Sequence, residues 1–237
     1  MRADLHNDLG LLYLHREDLK GSREEHLARA WNEHNQALAL HQRLASDQPT
    51  PELALTYLNL SVLARQTRLE QALEFADRSL ATYTAVYGPD DPRLWKPLRT
   101  RANALVELER LPEARAAYEQ AIALVQASLG TGHSAVAHME YALATTHVDG
   151  DRGQALKLAN AALAIAEREV PEGDPLRVYL PIFLGQIHFD RGELDQALNY
   201  RQEVVRRQSD AGPEDQAYAH GELAETLQKL NRTDEAL

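Results

Sequence analysis

FLGQIHFDRGELDQALNY, residues 183–200, sets three small residues at fixed points: Gly185, Gly192 seven positions on, and Ala197 five beyond that. A helix needs a small side chain where a partner crosses it closely, which Gly185 supplies. A glycine such as Gly192 suits a left-handed C-terminal cap that reverses the chain in a few residues. Ala197 then lies on a second helix facing the same crossing. Leu194, Ala197, Leu198 and Val205 follow helical spacing and form the buried stripe of that second helix.

The pattern recurs in LGLLYLHREDLKG, LNLSVLARQTRLEQALEFADRSL, RANALVELERLPEARAAYEQAIAL, YALATTHVDGDRGQALKLANAAL and ELAETLQKLNRTDEAL. The small residue near the start of each second helix is Ala30, Ala72, Ala114, Ala155, Ala197 and Ala236, at spacings of 42, 42, 41, 42 and 39. A period of this size marks a solenoid of helix pairs. One pair cannot bury both of its apolar faces, so neighbouring pairs must stack. Ala102 plays the part of Gly185 in the third pair, and Gly150 that of Gly192 in the fourth. The linkers YGPDDPRL, LGTGHSAVA, VPEGDPLRV and AGPEDQAYA combine a stop with a fresh start. Asp91-Pro92 and Asp174-Pro175 read as an N-cap followed by proline at the first helical position, Thr50-Pro51 as the start of the second pair, and Ser134 as the cap of the fourth. Pro97 and Pro181 fall later in their helices and predict a kink or an irregular first turn.

Composition narrows the function. With 36 acidic against 25 basic residues and a net charge of −11, the chain lacks the cationic footprint with which nucleic-acid binders neutralise phosphates. It has no cysteine, which excludes disulfides and thiolate metal sites. The charged start MRADLHNDLGLLYLHREDLK does not read as a signal peptide, and no apolar run approaches the ~18 residues of a spanning helix. A cytoplasmic protein without membrane contact is expected. There is no H-E-x-x-H, no Gly-rich phosphate loop after a strand and no G-x-S-x-G elbow among these residues. His34 and His41 share a helix face but have no third ligand beside them. Asp90-Asp91 reads as a turn and cap. Neither an enzyme nor a cofactor or metal site is expected.

The units resemble tetratricopeptide repeats, with LGQIHFDRGELDQAL close to the family consensus; the ~42-residue period and the LGTGHSAVA linker resemble the kinesin-light-chain type. The resemblance implies an all-α, right-handed α-solenoid of about six helix-turn-helix units, the last incomplete, forming a single domain over 1–237. The unit boundaries fall near 4–48, 50–88, 91–130, 134–171, 174–211 and 214–237. Departures are visible. The second unit is one residue short in its turn, and the fourth has Thr146 where a large apolar residue is usual. His188 stands where the family has a large ring, which implies packing. In the first unit the turn, at residues 15–28, carries extra residues, and Ser22 with Glu25 forms a capping-box pattern that starts the second helix early. An end-cap and a protruding partner contact are both readings of that segment. The chain stops at RTDEAL, inside a second helix, which reads as a trimmed chain or as an edge that meets another molecule.

For function the resemblance implies a non-enzymatic protein-protein interaction scaffold that uses the inner groove lined by the first helices. Carried over unit by unit, the groove positions are Asn59 and Arg65; Lys96, Arg99 and Asn103; Tyr141 and His147; Tyr179, Phe183, Gln186 and Phe189; and Tyr218. A basic, amide-bearing patch thus precedes an aromatic one. Arg99 and Asn103, one turn apart, suit a partner's backbone or carboxylate, and aromatic anchors suit a peptide or loop. Phe183 and Phe189 also suit packing between repeats. Among kinesin-light-chain-type proteins, the bacterial ones accompany bacterial tubulins and bind their filaments, so a filament surface is one expected partner. The negative charge opposes binding to another acidic surface. The alternative is a regulatory or sensory domain of a larger bacterial signalling protein, for example one attached to a kinase.

Overall fold

The computed structural model describes residues 2–15, 22–46 and 48–232. Among them every regular element is helical, apart from one 3₁₀ turn at Pro92–Leu94. The chain divides into two compact units, residues 1–128 and 129–237. The first holds α1 (Arg2–His15), α2 (Arg23–Ala45), α3 (Pro51–Ala64), α4 (Leu69–Tyr87), α5 (Trp95–Glu107) and α6 (Leu111–Leu129). The second holds α7 (Ser134–Thr145), α8 (Arg152–Glu169), α9 (Leu176–Asp190), α10 (Leu194–Arg207) and α11 (Pro213–Lys229). Within each unit, helices pack as antiparallel pairs in chain order, α1 on α2, α3 on α4, α7 on α8 and α9 on α10, and each pair rests on its neighbour.

The small residues do what their spacing predicts. Ala30, Ala72, Ala114, Ala155 and Ala197 are all fully buried, as is Ala102; Ala236 lies outside the described residues. A Cβ on Gly185 would sit 3.3 Å from Cβ of Tyr200 and 3.4 Å from Cγ of Arg201, so α9 and α10 meet backbone to side chain. The stripe of α10 differs in one register. Val204 and Arg201 are buried where Val205 was expected, and Val205 and Leu194 are half-buried, because Arg201 turns its guanidinium inward.

The turns within pairs come in two forms. From the small residue of the first helix to the alanine of the second is twelve residues at Ala102–Ala114, Gly185–Ala197 and Ala224–Ala236, and eleven at Ser61–Ala72 and Ala144–Ala155. Each twelve-residue turn has a left-handed residue five places before its alanine: Glu109 (φ 59°), Gly192 (φ 74°) and Asn231 (φ 57°). In each, the next amide closes a six-residue loop, as Glu193 N donates to His188 O at 2.9 Å and Arg110 N to Leu105 O at 2.9 Å. The eleven-residue turns have no left-handed residue. Gly150 therefore does not adopt the cap conformation expected for it.

Helix starts follow their caps. Thr50 accepts from Leu53 N with Pro51 opening α3. Ser22 and Glu25 form the predicted reciprocal capping box, which extends α2; most of the preceding turn lies outside the described residues. Asp91 caps the 3₁₀ turn rather than α5, and α5 then begins at Trp95. Pro97 thus falls in the first helical turn, where its missing N–H costs no intrahelical bond. Pro181 sits inside α9, whose start is tightened by Val178 N donating to Pro175 O. Ser134 is not the cap of α7. The His133 ring Nδ1 accepts from Ala135 N at 3.1 Å instead, making Ser134 the first helical residue.

Candidate functional site

In the first unit α5 carries the cationic patch. Its Arg99 is half-buried, with the guanidinium 5.3 Å from the centre of the Trp95 ring one turn earlier. Arg99 makes no ion pair among the described residues, and its Nε is buried with no acceptor. Burial lowers its pKa, the nearby Tyr118 hydroxyl opposes that, and the Arg65 charge adds to it. Asn103 lies one turn on, its Oδ1 accepting from the Tyr118 hydroxyl of α6. Burial pushes the Tyr118 phenol up to about 12, against the pull of Arg65 and Arg99. At the end of α3, Arg65 grips Glu107 of α5, with Nε donating to Oε1 at 2.9 Å. Asn59 of α3 is buried, and its Nδ2 has no acceptor. Lys96 is exposed. Arg65, Arg99 and Asn103 thus gather around Tyr118, and the unsatisfied groups on this stretch, Arg99 Nε and Asn59 Nδ2, are both donors. Both are buried, so each carries the cost of a missing acceptor.

The second unit has a different character. Tyr141 of α7 meets Phe183 of α9 edge-on at 5.6 Å, while Tyr179 and Tyr218 stand 51% and 53% exposed. Phe189 is buried, with Arg201 Cζ 4.1 Å and Lys229 Nζ 3.7 Å from its ring centre. Gln186 is exposed, donating to Asp190 and accepting from Arg201. His147 is half-buried just after α7. Here three arginines are neutralised. Arg201 is bonded to the carboxylate and carbonyl of Glu222 and to the Thr226 hydroxyl, and Arg177 and Arg207 both reach Glu167.

Trp95, Tyr118 and Glu107 were not singled out from sequence. Trp95 follows the linker proline by three residues, and Tyr118 comes from a second helix. Only the fold brings them to Arg99. His34 and His41 are both buried on α2. His34 Nδ1 lies 3.2 Å from Asn7 Oδ1, and Asp4 is 3.8 Å from His41. His188 packs flat on Tyr200, with its Nδ1 2.6 Å from Glu193. No group of three potential metal ligands occurs among the described residues, and none of their helices is long and apolar enough to cross a membrane.

The Tetratricopeptide repeat family model matches residues 52–127 and 96–168. No curated protein matches the chain in sequence. Among solved structures, BtubC (BKLC) from P. vanneervenii superposes with a TM-score of 0.74 at 17% identity, over 89% of this chain and 86% of that one. The nearly identical TPR-like repeats of Podosopora anserina, named for kinesin light chain, give 0.69 at 17% identity, over 90% and 97%. YrrB, a TPR protein with an unusual peptide-binding site, gives 0.56 at 21% identity, over 85% and 87%. Likeness at these identities is likeness of fold.

Proposed function

This chain is built of tetratricopeptide repeats, and from that premise we propose that it is a non-catalytic interaction scaffold whose first unit holds a carboxylate-bearing peptide or loop at Arg99. The observation that carries this reading is the half-buried guanidinium of Arg99, which makes no ion pair among the described residues. Burying a cation without a counter-charge is costly, and a partner's carboxylate removes that cost on binding. Trp95 fixes the guanidinium from one side, so less side-chain freedom is lost when the partner docks. Lys96 adds charge at the rim, and Asn103 adds an amide that suits a peptide backbone, while Asn59 lies buried beneath. In the second unit Tyr141, Tyr179, Phe183 and Tyr218 offer aromatic surface for apolar residues of a partner, with His147 and Gln186 as polar contacts and Phe189 as support. YrrB, with its peptide-binding site, is of the same fold.

The kinesin-light-chain likeness makes bacterial tubulin filaments the first named partner to try. With a net charge of −11, long-range repulsion opposes an acidic polymer, so docking there would concentrate on the Arg99 patch. The test is an array of short peptides, each in acidic and amidated versions, read with the wild-type protein and with Arg99→Gln, which leaves the Asn103–Tyr118 bond in place. Preferential capture of the acidic versions, lost in the variant while its melting temperature is kept, is expected. Equal capture of both versions, or a variant that binds unchanged, contradicts the reading. Co-sedimentation with polymerised bacterial tubulin tests the named partner separately.

A further inference from the structure

The second helix of the first pair is built differently from the others. α4, α6, α8 and α10 each begin three residues before their crossing alanine, whereas α2 begins seven before Ala30. That adds one helical turn, fastened by the Ser22–Glu25 capping box. The lengthened start of α2 lies against the end of α3 and the short turn into α4. A hollow of about 280 Å³ opens between them, walled by Leu27, Ala28 and Trp31 of α2 and by Leu63, Gln66 and Arg68. Trp31 is braced edge-on by Phe75 at 6.2 Å, and Arg68 lies over its ring at 4.2 Å. Arg23 reaches in to donate to Gln66 at 3.1 Å. Neither arginine makes an ion pair among the described residues, and one carboxylate, Glu24, lines the hollow. Two cations held in place by an indole and an amide thus face a single acid beside apolar walls.

The hollow is slightly smaller than the ~300 Å³ at which small-molecule sites begin, which favours an anchoring side chain over a cofactor. Leu27, Ala28, Trp31 and Leu63 give it an apolar and aromatic lining, as anchor pockets have, and the excess positive charge complements an acid. We propose that this edge of the first unit is a second docking point, distinct from the Arg99 patch, that takes an apolar side chain of a partner protein flanked by a carboxylate. Leu27, Trp31 and Leu63 receive the apolar group. Arg68, fixed on Trp31, pairs with the acid, and Arg23 supports it. The lengthened α2 is then a wall of a binding site as well as an end-cap.

Trp31 is its own reporter. Trp31 and Trp95 are the two tryptophans of the chain, so the Trp95→Phe protein emits from the hollow alone and Trp31→Phe from the Arg99 patch alone. Each is titrated with the acetylated, amidated peptide Glu-Leu-Asp-Leu-Glu, its neutral version Gln-Leu-Asn-Leu-Gln and the apolar-free version Glu-Ser-Asp-Ser-Glu. A saturable change in Trp31 emission is expected with the first peptide, at least about tenfold weaker with either control. Arg68→Gln, an exposed change that spares the fold, weakens it by a similar factor, and Ala28→Glu, on the exposed wall, abolishes it with melting unchanged. The proposal is overturned by a flat Trp31 signal up to millimolar peptide, by equal affinity for the neutral version, or by an Arg68→Gln protein that binds as wild type. A response confined to the Trp31→Phe protein also overturns it, by placing the peptide at Arg99.

Discussion

The two turn forms predict opposite outcomes for substitutions at one repeat position, five residues before the crossing alanine. Glu109 occupies it in the left-handed conformation with an exposed side chain that makes no hydrogen bond or ion pair among the described residues. For a residue with a Cβ that conformation costs roughly 1–2 kcal/mol. Glycine removes the strain but is more disordered when unfolded, returning roughly 0.5–1 kcal/mol. Glu109→Gly should therefore stabilise the first unit by about 0.5–1 kcal/mol. Gly192→Ala should cost about as much, for the reverse reason. Gly150 has negative φ and open space where a Cβ would go, so Gly150→Ala should stabilise by about 0.4–1 kcal/mol. Thr67→Gly, in the other eleven-residue turn, should destabilise. Urea unfolding measures all four. Tryptophan emission follows the first unit, which contains both Trp31 and Trp95, and far-UV circular dichroism follows the whole. Shifts of Gly150→Ala and Gly192→Ala in the same direction, or a destabilised Glu109→Gly, would show that the two turn forms do not differ in this way.

Gly10 packs under His34, where a Cβ would lie 2.6 Å from ring atoms. Gly10→Ala should cost about 1–3 kcal/mol by overpacking, and His34→Ala in the same chain should recover part of it; additive losses would argue against the contact. Burial lowers the His34 pKa from 6.5 to about 4. Between those values the unfolded chain binds a proton that the folded one refuses. His34 therefore has no pH effect above about 6.5, and stability falls by up to about 3 kcal/mol as pH drops toward 4. A His34→Leu protein should show a shallower acid slope in urea unfolding, and an unchanged slope contradicts the assignment. Arg201→Met removes a buried cation held by Glu222, Thr226 and Gln186. It should cost about 2–4 kcal/mol and speed hydrogen exchange along α11, whereas wild-type exchange there would show that the network does not hold the helix.

The helix pairs were legible because close crossings demand small residues at fixed intervals, and alanine and glycine in such a rhythm are hard to mistake. The single-residue difference between turns was visible at Ser61–Ala72, but its conformational meaning was not. Glu109 shows why: a left-handed glutamate leaves no mark in the sequence that a right-handed one would lack. Ser134 looked like a cap by residue type, yet the neighbouring His133 has a ring nitrogen able to do the same work. Arg201 occupied a position in an apolar stripe that periodicity assigns to a hydrophobe, and only its partners on α11 explain its burial. The same holds for the candidate site. Arg99 and Asn103 were readable as neighbours one turn apart on a helix. That Arg99 lacks an acceptor, and that Tyr118 binds Asn103, depend on which side chains other helices bring up. For Phe189 the resemblance left the groove and packing between repeats both open, and its burial beneath Arg201 and Lys229 depends on side chains that distant parts of the chain bring up.

We propose that Arg99, without an ion pair among the described residues, reads a partner's carboxylate. The most direct test is calorimetric titration of the best acidic array peptide into the wild-type protein and Arg99→Gln, at low and high salt. At least a tenfold loss of affinity in the variant, about 1.4 kcal/mol, is predicted, with wild-type binding weakening as salt rises and melting temperature unchanged. Equal affinity for the two proteins, insensitive to salt, would contradict it.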